Sequence, residues 1–195
     1  MRLRTDRQAH RRRSFVAAPF VLGALALIAS ACGSSPATST GTTVPSGSAS
    51  SLLAAGLAAQ KAGNVSVAVA DYKQVIALAP TASTASFADY DLGYIAQVEQ
   101  GDTAAAATYY RSALAINPNF VNALYNLAII LTTSQPADAV SDYQQVIALS
   151  PSNADAHLNL GFIYSSQGKK ALAHAQFTKA TALDPSLASR IPAGS

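Results

Sequence analysis

Asp71-Tyr72-Lys73-Gln74-Val75-Ile76-Ala77-Leu78-Ala79-Pro80 returns as Asp142-Tyr143-Gln144-Gln145-Val146-Ile147-Ala148-Leu149-Ser150-Pro151, with two changes in ten residues. Working outward from this pair, proline recurs at Pro80, Pro118, Pro151 and Pro185, with gaps of 38, 33 and 34 residues. Eight residues before each proline stands an aromatic: Tyr72, Tyr110, Tyr143, Phe177. Four residues before each aromatic stands an alanine: Ala68, Ala106, Ala139, Ala173. Gly63, Gly101 and Gly168 fall five residues before three of these alanines. The third unit replaces the glycine by Ser134-Gln135-Pro136, and proline suits the first turn of a helix. A period near 34 marks a chain of stacked units, none of which can bury its apolar face alone. Apolar residues spaced by three and four make each unit helical, and the glycine breaks it into a pair. The pattern predicts an all-α fold with helix pairs at about 49–62/65–79, 86–100/103–117, 121–133/136–150 and 154–167/170–183.

This spacing resembles the tetratricopeptide repeat, a helix-turn-helix unit of 34 residues. The last copy carries Leu160-Gly161, Tyr164, Gly168, Ala173, Phe177, Ala180 and Pro185 in the family's order. The second supplies Leu92-Gly93, the third Leu127-Ala128, the first only Ala55-Gly56, and Asn126 and Asn159 match an Asn that often precedes the Leu. The slot that opens the first helix, bulky in the family, holds Leu52, Asp89, Leu124 and His157. The resemblance covers residues 49–187 and implies a right-handed α-solenoid of about four repeats, at 49–82, 86–120, 121–153 and 154–187, with a tail at 188–195. The small alanines let paired helices approach, and the aromatic one turn later is expected to pack into the next repeat.

The resemblance also implies that the first helices line a concave groove. The positions projecting into it are Leu53 and Leu57, Tyr90 and Tyr94, Tyr125 and Ile129, Leu158 and Phe162. An exposed apolar and aromatic stripe marks a partner site; the alternative is that part of the stripe is buried between helices. Only Lys61 stands near the positions by which some family members grip a carboxylate, which disfavours an acidic-tail ligand.

The period is irregular once. Pro80 to Leu92 is 12 residues where the next two intervals are 9, and one residue is added between Leu92 and Gly101. The stretch 81–85 is expected to lengthen the first inter-repeat turn, either as a tolerated loop insertion or as a hinge.

Charge is distributed unevenly. Of 13 basic residues, six (Arg2, Arg4, Arg7, Arg11, Arg12, Arg13) lie in the first 13 positions. From Cys32 onward there are 7 basic and 9 acidic residues, without the clustered Lys/Arg that nucleic-acid binding requires. The Arg-rich start, the uncharged stretch 14–31 and the small residues Ala29-Ser30-Ala31 read as a secretory signal at 1–31. The segment is shorter than the roughly 20 apolar residues of a membrane-spanning helix and is interrupted by Pro19 and Gly23, which disfavours the alternative of an uncleaved signal anchor. Ile28-Ala29-Ser30-Ala31-Cys32 resembles a bacterial lipoprotein lipobox, although Ala29 stands where Leu is usual. That resemblance implies a diacylglycerol on Cys32, the chain's single cysteine, and two acyl chains anchor stably. The alternative is an ordinary signal with a chance cysteine. Arg12-Arg13-Ser14-Phe15-Val16 resembles the twin-arginine motif, so export through the Sec or the Tat route stays open. Residues 32–48, almost all Gly, Ser, Thr and Pro after the cysteine, are expected to be a disordered tether reaching about 20–25 Å.

Catalytic signatures are missing: there is no HExxH, nucleophile elbow, phosphate loop or dinucleotide fingerprint. His157 is read as a packing residue and His174 as solvated; Asp89, Asp91 and Asp102 are too scattered for a metal and read as a solvated face. No enzyme activity, metal or cofactor is expected. The reading is a lipid-anchored protein on the outer face of a bacterial cytoplasmic membrane, acting as a scaffold for an unknown protein or peptide partner. The alternatives are a self-assembling structural envelope protein and an accessory subunit of a membrane-bound enzyme.

Overall fold

The computed structural model describes residues 47–192; the signal segment, Cys32, nearly all of the tether and the last three residues lie outside that range. The described residues form eight α-helices in four antiparallel pairs. These are α1 (Ala49–Lys61) with α2 (Val65–Leu78), α3 (Ser83–Tyr94) with α4 (Thr103–Ile116), α5 (Val121–Ser134) with α6 (Pro136–Leu149), and α7 (Ala154–Ser166) with α8 (Lys170–Leu183). A 3-10 segment, Pro185–Arg190, follows. The all-α solenoid expected from the period is the observed fold.

Local chemistry sets the ends. Ser48, Asp102 and Asn153 cap α1, α4 and α7 by accepting a backbone N–H three residues on. Gly63, Gly101 and Gly168 turn the chain with φ of 76°, 70° and 72°, a region that costs a side chain about 1–2 kcal/mol. The third pair turns at Gln135 and starts α6 on Pro136 instead.

Within a repeat, the pair is joined by a ring lying on bare backbone. A Cβ added at Gly56, Gly93 or Gly161 would sit 2.7 Å from Tyr72, 2.7 Å from Tyr110 or 2.6 Å from Phe177. The aromatic therefore packs chiefly onto the first helix of its own repeat. What reaches the next repeat is the hydroxyl: Asn126 Nδ2 donates to Tyr110 at 3.2 Å, and Asn159 Nδ2 to Tyr143 at 3.2 Å. Ala68, Ala106 and Ala139 are fully buried and Ala173 nearly so, as close helix approach requires.

The irregular stretch is not a longer turn. Helix α3 already begins at Ser83, so the three added residues form an extra helical turn. Ala85, Ser86 and Ala88 are small enough to bury completely, and Ser86 returns its hydroxyl to Ser83 O at 2.8 Å. The single residue added before Gly101 is absorbed as a π-helical turn, Ile95–Glu99, the usual way a helix accommodates one extra residue. The apolar core divides here. One cluster joins the first repeat to Ala88, Leu92 and Ile95; the other begins at Ala96 and runs to Leu187. Half-buried Tyr109 packs against both.

Both ends of the stack are dressed for solvent. At the positions where Val69 and Val140, and Ile76 and Ile147, face a following repeat, α8 carries His174 and Thr181. Phe177 lacks the hydroxyl that a following Asn would meet. Leu187 and Ile191 fold back onto the core, and Arg190 pairs with Asp155 at 3.1 Å. At the other end Ala54, Ala55 and Ala58 are exposed.

Asp89 corrects the reading of a solvated acidic face. It occupies the opening slot of α3, is only 6% exposed, and burial pushes its carboxyl up to about 6. His157, in the same slot of α7, is buried with both ring nitrogens engaged, by Gln176 Oε1 at 2.7 Å and Pro151 O at 3.3 Å.

Two predictions follow from this packing. Gly93→Ala drives a methyl into the Tyr110 ring and should cost about 1–3 kcal/mol in urea unfolding; an unchanged midpoint would mean the ring moves freely. Because the folded pKa of Asp89 is raised, its stabilising contribution is complete below the unfolded value near 4 and is lost as pH rises through about 6. Asp89→Asn should therefore raise stability by about 1–2 kcal/mol at pH 7.5 and by little at pH 4, a difference that thermal melts at the two pH values would read.

Candidate functional site: the inner face of the first helices

Two of the three neighbouring first-helix pairs touch, α1 with α3 and α5 with α7, while α3 with α5 and all pairs of second helices lack comparable contact. At these two joints the first helices are the closer ones, which fits their lining the inner side as the repeat resemblance implies. Side chains one residue after the glycine register form the row that meets solvent: Leu57 (38% exposed), Tyr94 (39%) and Ile129 (39%), with Phe162 half-buried.

The row three residues before the glycine lies deeper. Leu53, Tyr90 and Tyr125 are half-buried. Tyr90 lies 4.9 Å from the Phe120 ring and 5.9 Å from Tyr110. Tyr125 meets Tyr143 edge-on at 5.9 Å and accepts from Asn159 Nδ2 at 3.2 Å. Leu158 is fully buried and is no groove residue. The stripe expected to be continuous is therefore one exposed row resting on a supporting row.

Phe87, 45% exposed beside Phe120, and Val98, 58% exposed on the π turn, extend the apolar surface around Tyr94. Val98 owes its placement to the π turn, and Phe87 falls in the register of Asn122 and Asp155, which are polar, so the period gave no signal for either. Between α5 and α7 opens a cavity of about 230 Å³ lined by Ile129, Thr132, Thr133, Tyr143, Asn159 and Phe162. A second, of about 440 Å³, shares Thr132, Thr133 and Phe162 with it. Neither is lined by a charged side chain.

Burial raises the phenol pKa of Tyr90 and Tyr125 and pushes Tyr143 up to about 12, so these hydroxyls stay protonated as hydrogen-bond groups. Lys61 is exposed at the last position of α1. Among the described residues no group of His, Cys, Asp and Glu side chains is placed to hold a metal, and no helix is long and apolar enough to cross a membrane. Such a surface can do one thing well: take up apolar side chains from another molecule while hydroxyls and amides meet its backbone.

Family models of the tetratricopeptide repeat match residues 50–82 and 154–187, and a TPR repeat model matches 96–133 and 135–168. Over 76 residues the chain is 40% identical to photosystem I assembly protein Ycf3 of Acaryochloris marina, covering 39% of this chain and 45% of that protein. The chain thus spans less than half the length of that curated relative. Among solved structures it resembles MamA, with a TM-score of 0.61 and 23% identity over 72% of this chain and 81% of that one. It also resembles a tetratricopeptide repeat protein from Parabacteroides merdae, with a TM-score of 0.62 and 21% identity over 70% and 54%. These structural likenesses establish the fold. With the ring-on-glycine pairs, the turn glycines and family matches at 50–82, 96–133, 135–168 and 154–187, this chain carries tetratricopeptide repeats.

Proposed function

We propose that the chain is a non-catalytic scaffold that binds a protein segment along its inner face and is held by a lipid on Cys32 at the outer surface of the cytoplasmic membrane. The observation that carries the binding half is the exposed row Leu57, Tyr94 and Ile129 beside uncharged cavities. The assembly role in the name of its Acaryochloris marina relative supports a function of holding other proteins. The anchoring half rests on the sequence: an Arg-rich start, an apolar segment, and a lone cysteine directly after Ala29-Ser30-Ala31.

Self-assembly through the last helix is the weaker reading, because the outer side of α8 presents His174 and Thr181 where a stacking face needs Val and Ile.

A photo-crosslinking residue placed at position 94 should capture a defined protein from membranes, and one at exposed position 179 should not. Equal capture at both sites would remove the inner face as the binding surface. Tyr94→Ala with Ile129→Ala should weaken that capture by roughly tenfold or more if the row holds hot spots, with circular dichroism checking the fold. Cys32→Ala should move the protein out of the membrane fraction or leave an unprocessed precursor. Retention in the membrane after normal processing would refute lipid anchoring.

A further inference from the structure

The helix pairs are antiparallel, so each second helix ends beside the start of a first helix, and these ends form one edge of the stack. On this edge the last turns of α2, α6 and α8 carry Leu78, Leu149 and Leu183, all exposed. The same register of α4 holds half-buried Ile116. Two residues beyond each stands an exposed proline: Pro80, Pro118, Pro151 and Pro185. The prolines are explained by the fold, because they cannot continue a helix. The aliphatic row is not, since none of its four members belongs to either core cluster.

Charge avoids this edge. The turns between repeats, 79–82, 117–120 and 150–153, contain no charged side chain. The charged groups nearby are engaged: Asp184 accepts from the backbone N–H and the hydroxyl of Ser186, and Asp155 pairs with Arg190. The opposite edge also exposes Val67, Val98 and Leu172. There, however, exposed Lys61, Glu99, Asp102, Lys169 and Lys170 stand among them, and taking such charges out of water is costly. Only the first edge can be dehydrated without stranding a charge.

The chain also enters the fold at this edge. Ser48 caps α1, and the start of α1 lies beside the end of α2, where Leu78 stands. Only 14 residues separate Cys32 from Gly47, and a linker rich in Gly and Ser of that length reaches about 20 Å. We propose that this edge is a membrane-contact surface, its leucine row and prolines settling into the headgroup–acyl boundary of the bilayer that holds the Cys32 lipid. The contact deepens the anchoring proposed above and rests on it. Apolar side chains buried at that boundary strengthen attachment in proportion to their area. Without Lys or Arg in the row, the contact does not depend on anionic headgroups. The inner face would then stand upright on the membrane, open to a partner lying along it.

The chain contains no tryptophan, so a single introduced one reports its own surroundings. The test uses the full lipidated chain in phosphatidylcholine vesicles. L78W and L149W should emit at shorter wavelength than Q100W on the opposite edge. Lipids brominated near the headgroup end of the acyl chain should quench about half of their emission or more, and little of that of Q100W. Flotation with the vesicles reads the anchor separately: a chain that stays behind would refute the Cys32 lipid and this contact with it. A chain that floats with all three tryptophans equally unquenched would overturn the contact alone. Adding L183E to the L149W chain should leave flotation intact and reduce the quenching, with circular dichroism checking the fold. Unchanged quenching would overturn the role of the row, as would quenching that requires phosphatidylglycerol. A blue shift seen in native membranes but absent from pure-lipid vesicles would assign the edge to a protein and overturn the proposal.

Discussion

An aromatic ring set on a helix with no side chain beneath it is the contact on which every other dimension of this protein depends. At Gly56, Gly93 and Gly161 the approach leaves no room for a methyl. That closeness fixes the spacing of each helix pair, and hence where the next pair can sit. The third repeat keeps a buried Tyr143 but places a buried Ala128 in the glycine register. Small alanines on the second helices complete the approach from the other side. The energy is dispersion and apolar burial spread over many atoms, and the hydroxyl at the ring's tip adds direction to it.

That direction couples the repeats. The ring belongs to one unit and its hydroxyl to the next, so the fold of a repeat and its docking are not independent. Where an amide meets the hydroxyl, proton donors and acceptors balance. In the first repeat Asp91 stands in the register of that amide, and the Tyr72 hydroxyl donates to Gln60 of its own repeat. The inner face inherits both properties. Tyr125 is held from below by Asn159 and Tyr143, whereas Tyr94 ends α3 directly before the π turn.

The fold was legible in the sequence because proline, aromatic, alanine and glycine each answer a separate steric demand and recur in phase. The irregular second repeat was harder to read. Its extra residues are Thr, Ala and Ser, with no apolar period, and they became helix because small side chains can be buried against α2. The groove was half legible. Register identified which helix faces point inward, but depth depends on side-chain length: the tyrosines at positions 90 and 125 reach outward, and Leu158 in the same register does not. Asp89 was misread from its charge alone, although its equivalence to Leu52, Leu124 and His157 already placed it inside. The sequence features that suggest export and a lipid lie before the described residues.

The closing repeat has a consequence for how such a chain could lengthen by duplication. A copy of residues 154–187 appended after Arg190 would bring its own Asn159 against a phenylalanine ring with no oxygen, and its Leu160 and Ile163 against His174 and Thr181. A copy of residues 121–153 inserted ahead of α7 would instead dock on Tyr143, Val140 and Ile147, which already hold a following repeat. Growth is thereby directed to the interior of the array, and the last repeat stays last.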